Sequence, residues 1–172
     1  MSEFVLGKKG KIAVFVSGAL TAVIMVIMNA LLIPKIESTT DGIRCFDMNF
    51  GYSYDTAKQF LSLLSDSGRN LYLHAQLPLD FIYPLAYLIF FSFLIIRLVK
   101  KVNALVVFPI ALAVFDYCEN VCSIMMLSSA SLSKGLAAAG SAFTSVKTIL
   151  MYITFLVVII CIIHYFRNRK KA

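Results

Sequence analysis

Four apolar runs, at about 12–33, 77–99, 102–127 and 142–166, constrain this 172-residue chain more than any other feature. An α-helix rises about 1.5 Å per residue, so roughly 20 apolar residues cross the ~30 Å hydrocarbon core of a bilayer. Lipid offers no partners for backbone polar groups, so each such run is expected to be a helix. With 60% hydrophobic and 15% charged residues, the composition excludes an ordinary soluble domain and a disordered chain. The expected fold is all-α: an integral membrane four-helix bundle forming a single domain over residues 1–172. The first run is expected to end at Pro34. No small-residue cleavage site follows it, which favours a retained span over a signal peptide. A Ser/Gly/Ala-rich turn from Ser128 to Ser141 separates the third and fourth runs.

The net charge of +7 raises the question of nucleic acid, but the placement of the basic residues answers it. Lys8, Lys9 and Lys11 precede the first run, Arg97, Lys100 and Lys101 follow the second, and Arg167, Arg169, Lys170 and Lys171 follow the last. The stretch 34–76 balances Lys35, Arg44, Lys58 and Arg69 against Glu37, Asp41, Asp47, Asp55 and Asp66, and the third connection carries only Lys134. Lys and Arg are retained on the cytoplasmic face, so both termini are expected inside and residues 34–76 outside. A nucleic-acid partner is not expected. Membrane lipids are, in a bacterial cytoplasmic membrane or an endomembrane.

An outer loop of this length should carry structure of its own. Ser53 or Asp55 can cap an amphipathic helix with Ala57, Phe60, Leu61 and Leu64 on one face and Gly68 as its stop. Such a helix suits a lid over the bundle mouth or a position at the lipid surface. A second helix is expected to start near Asn70 and to run into the second span through Pro78 and Pro84, both candidate kinks. The cysteines, Cys45, Cys118, Cys122 and Cys161, form no C-x-x-C, and Cys45 stands alone in the outer loop, which argues against a thiol-disulfide exchanger.

The chemistry sits in the charges within the spans: Asp80, Asp116, Glu119 and Lys147. Each costs about 2.5–3.5 kcal/mol at a helix centre on the insertion scale, so all four should face the bundle interior, a wet cavity or an interface. Helical spacing groups them. Gln76, Asp80, Tyr83 and Tyr87 share one face of the second span, and Asp116, Glu119, Asn120 and Ser123 one face of the third. On the fourth, Ser141, Ser145, Thr148 and Tyr152 form a stripe with Lys147 on its flank. Asn29 of the first span lies at a similar shallow depth, so polar residues crowd the outer half and Leu, Ile, Val and Phe fill the inner half. Lys147 is expected to pair with Glu119 or Asp116.

Three carboxyls against one lysine leave excess negative charge, to be offset by protonation of Asp116 or Glu119, by His74 or Arg69 at the mouth, or by a bound cation. The leading reading is an outward-opening polar pocket of Asn29, Asp80, Tyr83, Tyr87, Asp116, Glu119, Asn120 and Lys147 that binds an amphiphilic or cationic small molecule or a lipid. An intramembrane acid/base enzyme, isomerase-like or lipid-modifying, with Asp116 and Glu119 as catalytic groups stays open. So does a structural or accessory subunit whose ion-pair network sets helix register. Ser123, one turn beyond Glu119, is a weak candidate nucleophile. A metal site from His74, Asp80, Asp116 and Glu119 is disfavoured because His74 lies off the Asp80 stripe, no metal is expected, and the sequence does not identify a cofactor. A homo-oligomer stays open.

The run LYLHAQLPLDFIYPLAY followed by FDYCENVCS, after a GYSYD loop, resembles small four-span bacterial membrane proteins over residues 50 to 150. That resemblance implies the four-span architecture and carries no chemistry with it. In size, topology and intramembrane carboxylates the chain is also similar to the sterol-isomerase and sigma-2-receptor group. There the similarity is one of architecture, without that group's sequence pattern.

Overall fold

The computed structural model describes residues 2–169, and all of its regular structure is helical. Four helices are long and apolar enough to cross a membrane, Lys8–Glu37, Asp66–Val99, Ala104–Ser128 and Lys134–Asn168, as fits a multi-pass membrane protein. They are the first to fourth spans below. A short helix, Ser2–Leu6, precedes them, and a lid helix, Tyr54–Leu63, lies between the first and second. The turn after Val99 lies beside the N-terminal helix, and the 38–65 loop occupies the opposite end of the bundle. We call these the terminal end and the loop end.

The first span does not stop at Pro34 as the sequence suggests. Its helix continues to Glu37 because the turn upstream widens: Met28–Leu32 is a π segment in which Ile33 N–H donates to Met28 O. Proline lacks an N–H, and its ring crowds the carbonyl four residues back, so a wider turn lets the helix pass it. The same device recurs in the second span. There the π segment Tyr72–Gln76 precedes Pro78, and Leu77 N–H donates to Tyr72 O. The two π segments pack against each other at the loop end.

Local caps set the remaining boundaries. Ser53 accepts from Thr56 N–H at the head of the lid helix, which ends at Leu64 in extended backbone. Gly68 is therefore not its stop. Ser65 opens a new helix by accepting from Gly68 N–H, and the second span begins at Asp66, earlier than either 70 or 77. Gly68 serves close packing instead, since a Cβ there would meet Leu64 Cδ1 at 2.9 Å. Lys100, with φ 61°, terminates the second span in left-handed backbone. Ser133 Oγ accepts from Leu136 N–H, so the fourth helix starts at Lys134 and the expected 128–141 turn shrinks to a few residues.

Two apolar clusters hold the bundle. At the loop end, Phe60 and Ala57 of the lid helix pack with Phe46, Tyr72, Met126 and Ile36, with Phe46 and Phe60 ring centroids 4.8 Å apart. The lid helix thus caps the bundle mouth with its apolar face inward. Leu61 is half-buried at the edge of that face. Toward the terminal end, Phe91, Ile95, Leu112, Val157 and Cys161 form the second cluster. The first span packs along the second, and the fourth along the third and second. The first and fourth do not pack closely, and the space between them is the site described next.

Candidate functional site

A cavity of about 500 Å³ lies between the first and fourth spans, backed by the second and third. Asp80, Tyr83, Tyr87, Asp116, Lys147 and Asn29 all line it. Glu119 and Asn120 do not; both are fully buried behind it. Asp47 and Met48 of the loop cover its loop end, and Met151, Phe155, Phe90 and Phe91 line its apolar end toward the termini. Met25 and Phe155, each about half exposed, form a rim on the outer surface of the bundle. The cavity therefore opens sideways, toward where acyl chains would lie.

The third span carries its acids at i and i+3, which puts both carboxylates toward the fourth span. Lys147 meets both: its Nζ donates to Asp116 Oδ1 at 3.4 Å and forms an ion pair with Glu119 Oε2. The rest of each carboxylate is also engaged. Tyr87 Oη donates to Asp116 Oδ2 at 2.8 Å, and Thr144 Oγ1 donates to Glu119 Oε1 at 2.6 Å. Thr144 escapes the expected stripe of Ser141, Ser145, Thr148 and Tyr152. That stripe does not converge on the polar centre: Thr148 lines the cavity, but Tyr152 is 64% exposed. The signal for Thr144 is Lys147 itself, since a residue three positions back shares its face.

Asp80 differs from its neighbours. It is buried and lines the cavity, and its carboxylate has no hydrogen bond or ion pair among the described residues. Its backbone carbonyl, by contrast, accepts from Asn120 Nδ2 at 2.7 Å. The cause is four residues ahead. Pro84 has no N–H to complete the helical bond to Asp80 O, and the Asn120 amide supplies the missing donor. Pro84 is thus accommodated by a neighbouring span. Tyr83 and Tyr87 stack edge to face, centroids 5.1 Å apart, beside Asp80 on the cavity wall.

The candidates for neutralising the excess charge are otherwise placed. Arg69 donates to Leu127 O, at the end of the third span, and to Leu61 O of the lid helix at 3.4 Å, so it fastens helix ends together. His74 is exposed and does not line the cavity. Asp47, which the sequence reading left out of the site, adds a further acid at the rim, where its Oδ1 accepts from Tyr72 Oη at 3.1 Å. Gln76 is buried in the second π segment and does not reach the cavity; Ser123 is buried behind it. Among the described residues no group of three or more His, Cys, Asp and Glu side chains is placed to hold a metal ion, and the four cysteines are unpaired.

The loop is latched over this centre. Tyr52 N–H donates to Ser141 Oγ at 2.8 Å, and Ser145 Oγ donates to Phe50 O at 2.7 Å. The Tyr52 ring tip reaches Gly140, and burial, reinforced by Glu119, pushes its phenol above the usual range. Family models, curated proteins and solved structures show no match to this chain.

Proposed function

We propose that this multi-pass membrane protein binds an amphiphilic cation in the side cavity, with the ligand's ammonium on Asp80 and its apolar tail among Met151, Phe155, Phe90 and Phe91. The supporting observation is the division of labour among the acids. Asp116 and Glu119 are engaged by Lys147, Tyr87 and Thr144, whereas the Asp80 carboxylate faces the cavity with no partner among the described residues. A buried carboxylate without a counter-charge is costly, and a charge-assisted hydrogen bond to an ammonium offsets that cost by about 1.5–3 kcal/mol. The Tyr83 and Tyr87 rings add cation–π attraction, about 2 kcal/mol when desolvated.

The saturated Asp116–Lys147–Glu119 triad supports a second role beside the first, a structural network fixing the register of the third and fourth spans. The same saturation weighs against Asp116 and Glu119 as an acid/base pair. In the topology that accompanies this reading, both termini and the 100–103 turn are cytoplasmic and the lid helix is outside, in a bacterial cytoplasmic membrane. The ligand then enters from the outer leaflet between the first and fourth spans.

The test is binding of a panel of lipophilic amines to purified protein, with Asp80→Asn, Asp116→Asn and Glu119→Gln beside the wild type. The proposal expects Asp80→Asn to fold normally and lose at least about tenfold in affinity, or ~1.4 kcal/mol. Wild type that binds none of the panel, or Asp80→Asn that binds as well as wild type, would overturn it.

A further inference from the structure

A second groove runs along the lipid-facing seam of the first two spans, toward the terminal end, and its charge is opposite to that of the cavity. Lys11, Val14, Phe15, Gly18 and Ala19 fall on one face of the first span, and Phe90, Leu94 and Arg97 on the facing side of the second. Together they enclose about 470 Å³. Both cations stand at one end of the groove, with no acid among its lining residues. The seven helical steps from Lys11 to Gly18 give it a length of roughly 10 Å.

We propose that this groove binds an anionic phospholipid, its phosphate between Lys11 and Arg97 and the start of one acyl chain along Phe15, Leu94 and Phe90. Arg97 is pre-positioned for the headgroup. Its Nη1 donates to the carbonyls of Val5, Leu6 and Gly7 at 2.6, 3.1 and 3.1 Å, at the end of the N-terminal helix. Nε and Nη2 have no partner among the described residues and remain for a phosphate, whose geometry suits the guanidinium fork. Lys11 is exposed on the opposite wall and adds a mobile point charge. The acyl-chain part is built from small residues against large ones. A Cβ at Gly18 would meet Phe90 Cε2 at 2.8 Å, so the glycine is what lets that ring lie across the seam. There the ring closes the groove and also walls the acidic cavity, keeping the two sites apart. Phe15, 77% exposed, leaves the chain's outer side open to neighbouring lipid. Lys8, Lys9, Lys100 and Lys101 at the same end raise the local concentration of anionic lipid without lining the groove.

Native mass spectrometry and thermal unfolding of the detergent-purified full chain, titrated with phosphatidylglycerol, phosphatidylcholine or inorganic phosphate, test the proposal. Arg97 also fastens the N-terminal helix, so the informative variants are Lys11→Gln, which removes charge, and Ala19→Phe, which fills the groove. Lys100→Gln/Lys101→Gln is the control for diffuse charge. Phosphatidylglycerol should bind about tenfold more tightly than phosphatidylcholine, and Lys11→Gln should lose about fivefold, the worth of one lysine near a membrane surface. Ala19→Phe should lose at least as much, and the double control less than twofold, because Lys100 and Lys101 do not line the groove and detergent presents no anionic surface for them to act through. Equal binding of the two lipids, loss in the control matching that of Lys11→Gln, or no effect of Ala19→Phe would overturn the groove site. Inorganic phosphate alone reproducing the full stabilisation would overturn the lipid as its occupant. None of these outcomes depends on whether amines bind at Asp80.

Discussion

Asn120 shows how one residue can be required by another in a different span. Its amide answers the carbonyl that Pro84 leaves without a donor. Asn120→Leu should leave that buried carbonyl unsatisfied and cost about 1–3 kcal/mol in unfolding free energy. In a Pro84→Ala background the helix regains an N–H at position 84, and the same substitution should cost much less. Equal costs in the two backgrounds, measured by denaturant unfolding in detergent, would refute the link. Lys147 supports a similar cycle. Lys147→Met strands two buried carboxylates and should destabilise by roughly 3–5 kcal/mol, while Lys147→Met with Glu119→Gln should recover part of the loss. Strict additivity would contradict the ion pair. These charged residues were legible in the sequence because an ionised group in an apolar span must find a partner. Thr144 was not, because a helical threonine usually satisfies itself on its own backbone. Thr144 Oγ1 also lies 3.0 Å from Gly140 O, so its one hydroxyl hydrogen is shared between its own backbone and the closer Glu119 carboxylate.

At the scale of elements, periodicity located the spans and the inward face of the lid helix, and punctuation was where reading by residue type failed. Pro34 was expected to stop a helix and Gly68 to end another. A π segment carries the chain past the first, and a serine cap starts a new helix around the second. Hydropathy marks which part of a helix can sit in lipid and not where the helix begins, so the Ser/Gly/Ala-rich first turns of the fourth helix look like loop in the sequence. The loop's attachment to that helix has its own test. Gly140 makes room for Tyr52, and a Cβ there would also stand 3.2 Å from Met126 Cε. Gly140→Ala should therefore loosen the loop, raising protease nicking within residues 38–53 and lowering the melting temperature. Ser141→Ala/Ser145→Ala should do the same by removing the two latching hydrogen bonds, each worth about 1 kcal/mol. Unchanged nicking in both variants would mean the loop is held elsewhere.

Seen whole, the molecule divides its charges by end: acids and one lysine around the cavity near the loop, and the basic residues Lys8, Lys9, Lys11, Arg97, Lys100 and Lys101 toward the other end. Orientation follows if the positive end is cytoplasmic. A membrane-impermeant maleimide should label Ser62→Cys from outside the cell and Asn168→Cys only after permeabilisation, and labelling of both from one side would reverse or refute the topology. Cys45 should stay silent in that experiment. Burial, with Asp47 and Glu37 nearby, pushes its thiol well above the usual range, so the folded protein keeps it protonated. The sign follows: above the ordinary thiol range the unfolded chain sheds this proton first, so stability should fall as pH rises there. The groove between the first and fourth spans was not legible in the sequence, because stripes on each helix say which faces are polar but not which pairs of helices stay apart.

The central claim is that Asp80 holds a cation in that groove, and the most direct measurement compares a long-chain primary amine with the alcohol of the same chain length. Both bury the same tail, so the ratio of their affinities isolates the charge. Wild type should prefer the amine by at least about tenfold. Asp80→Asn should still bind the alcohol and lose that preference. An Asp80→Asn protein that folds and keeps the full preference for the amine would contradict the assignment.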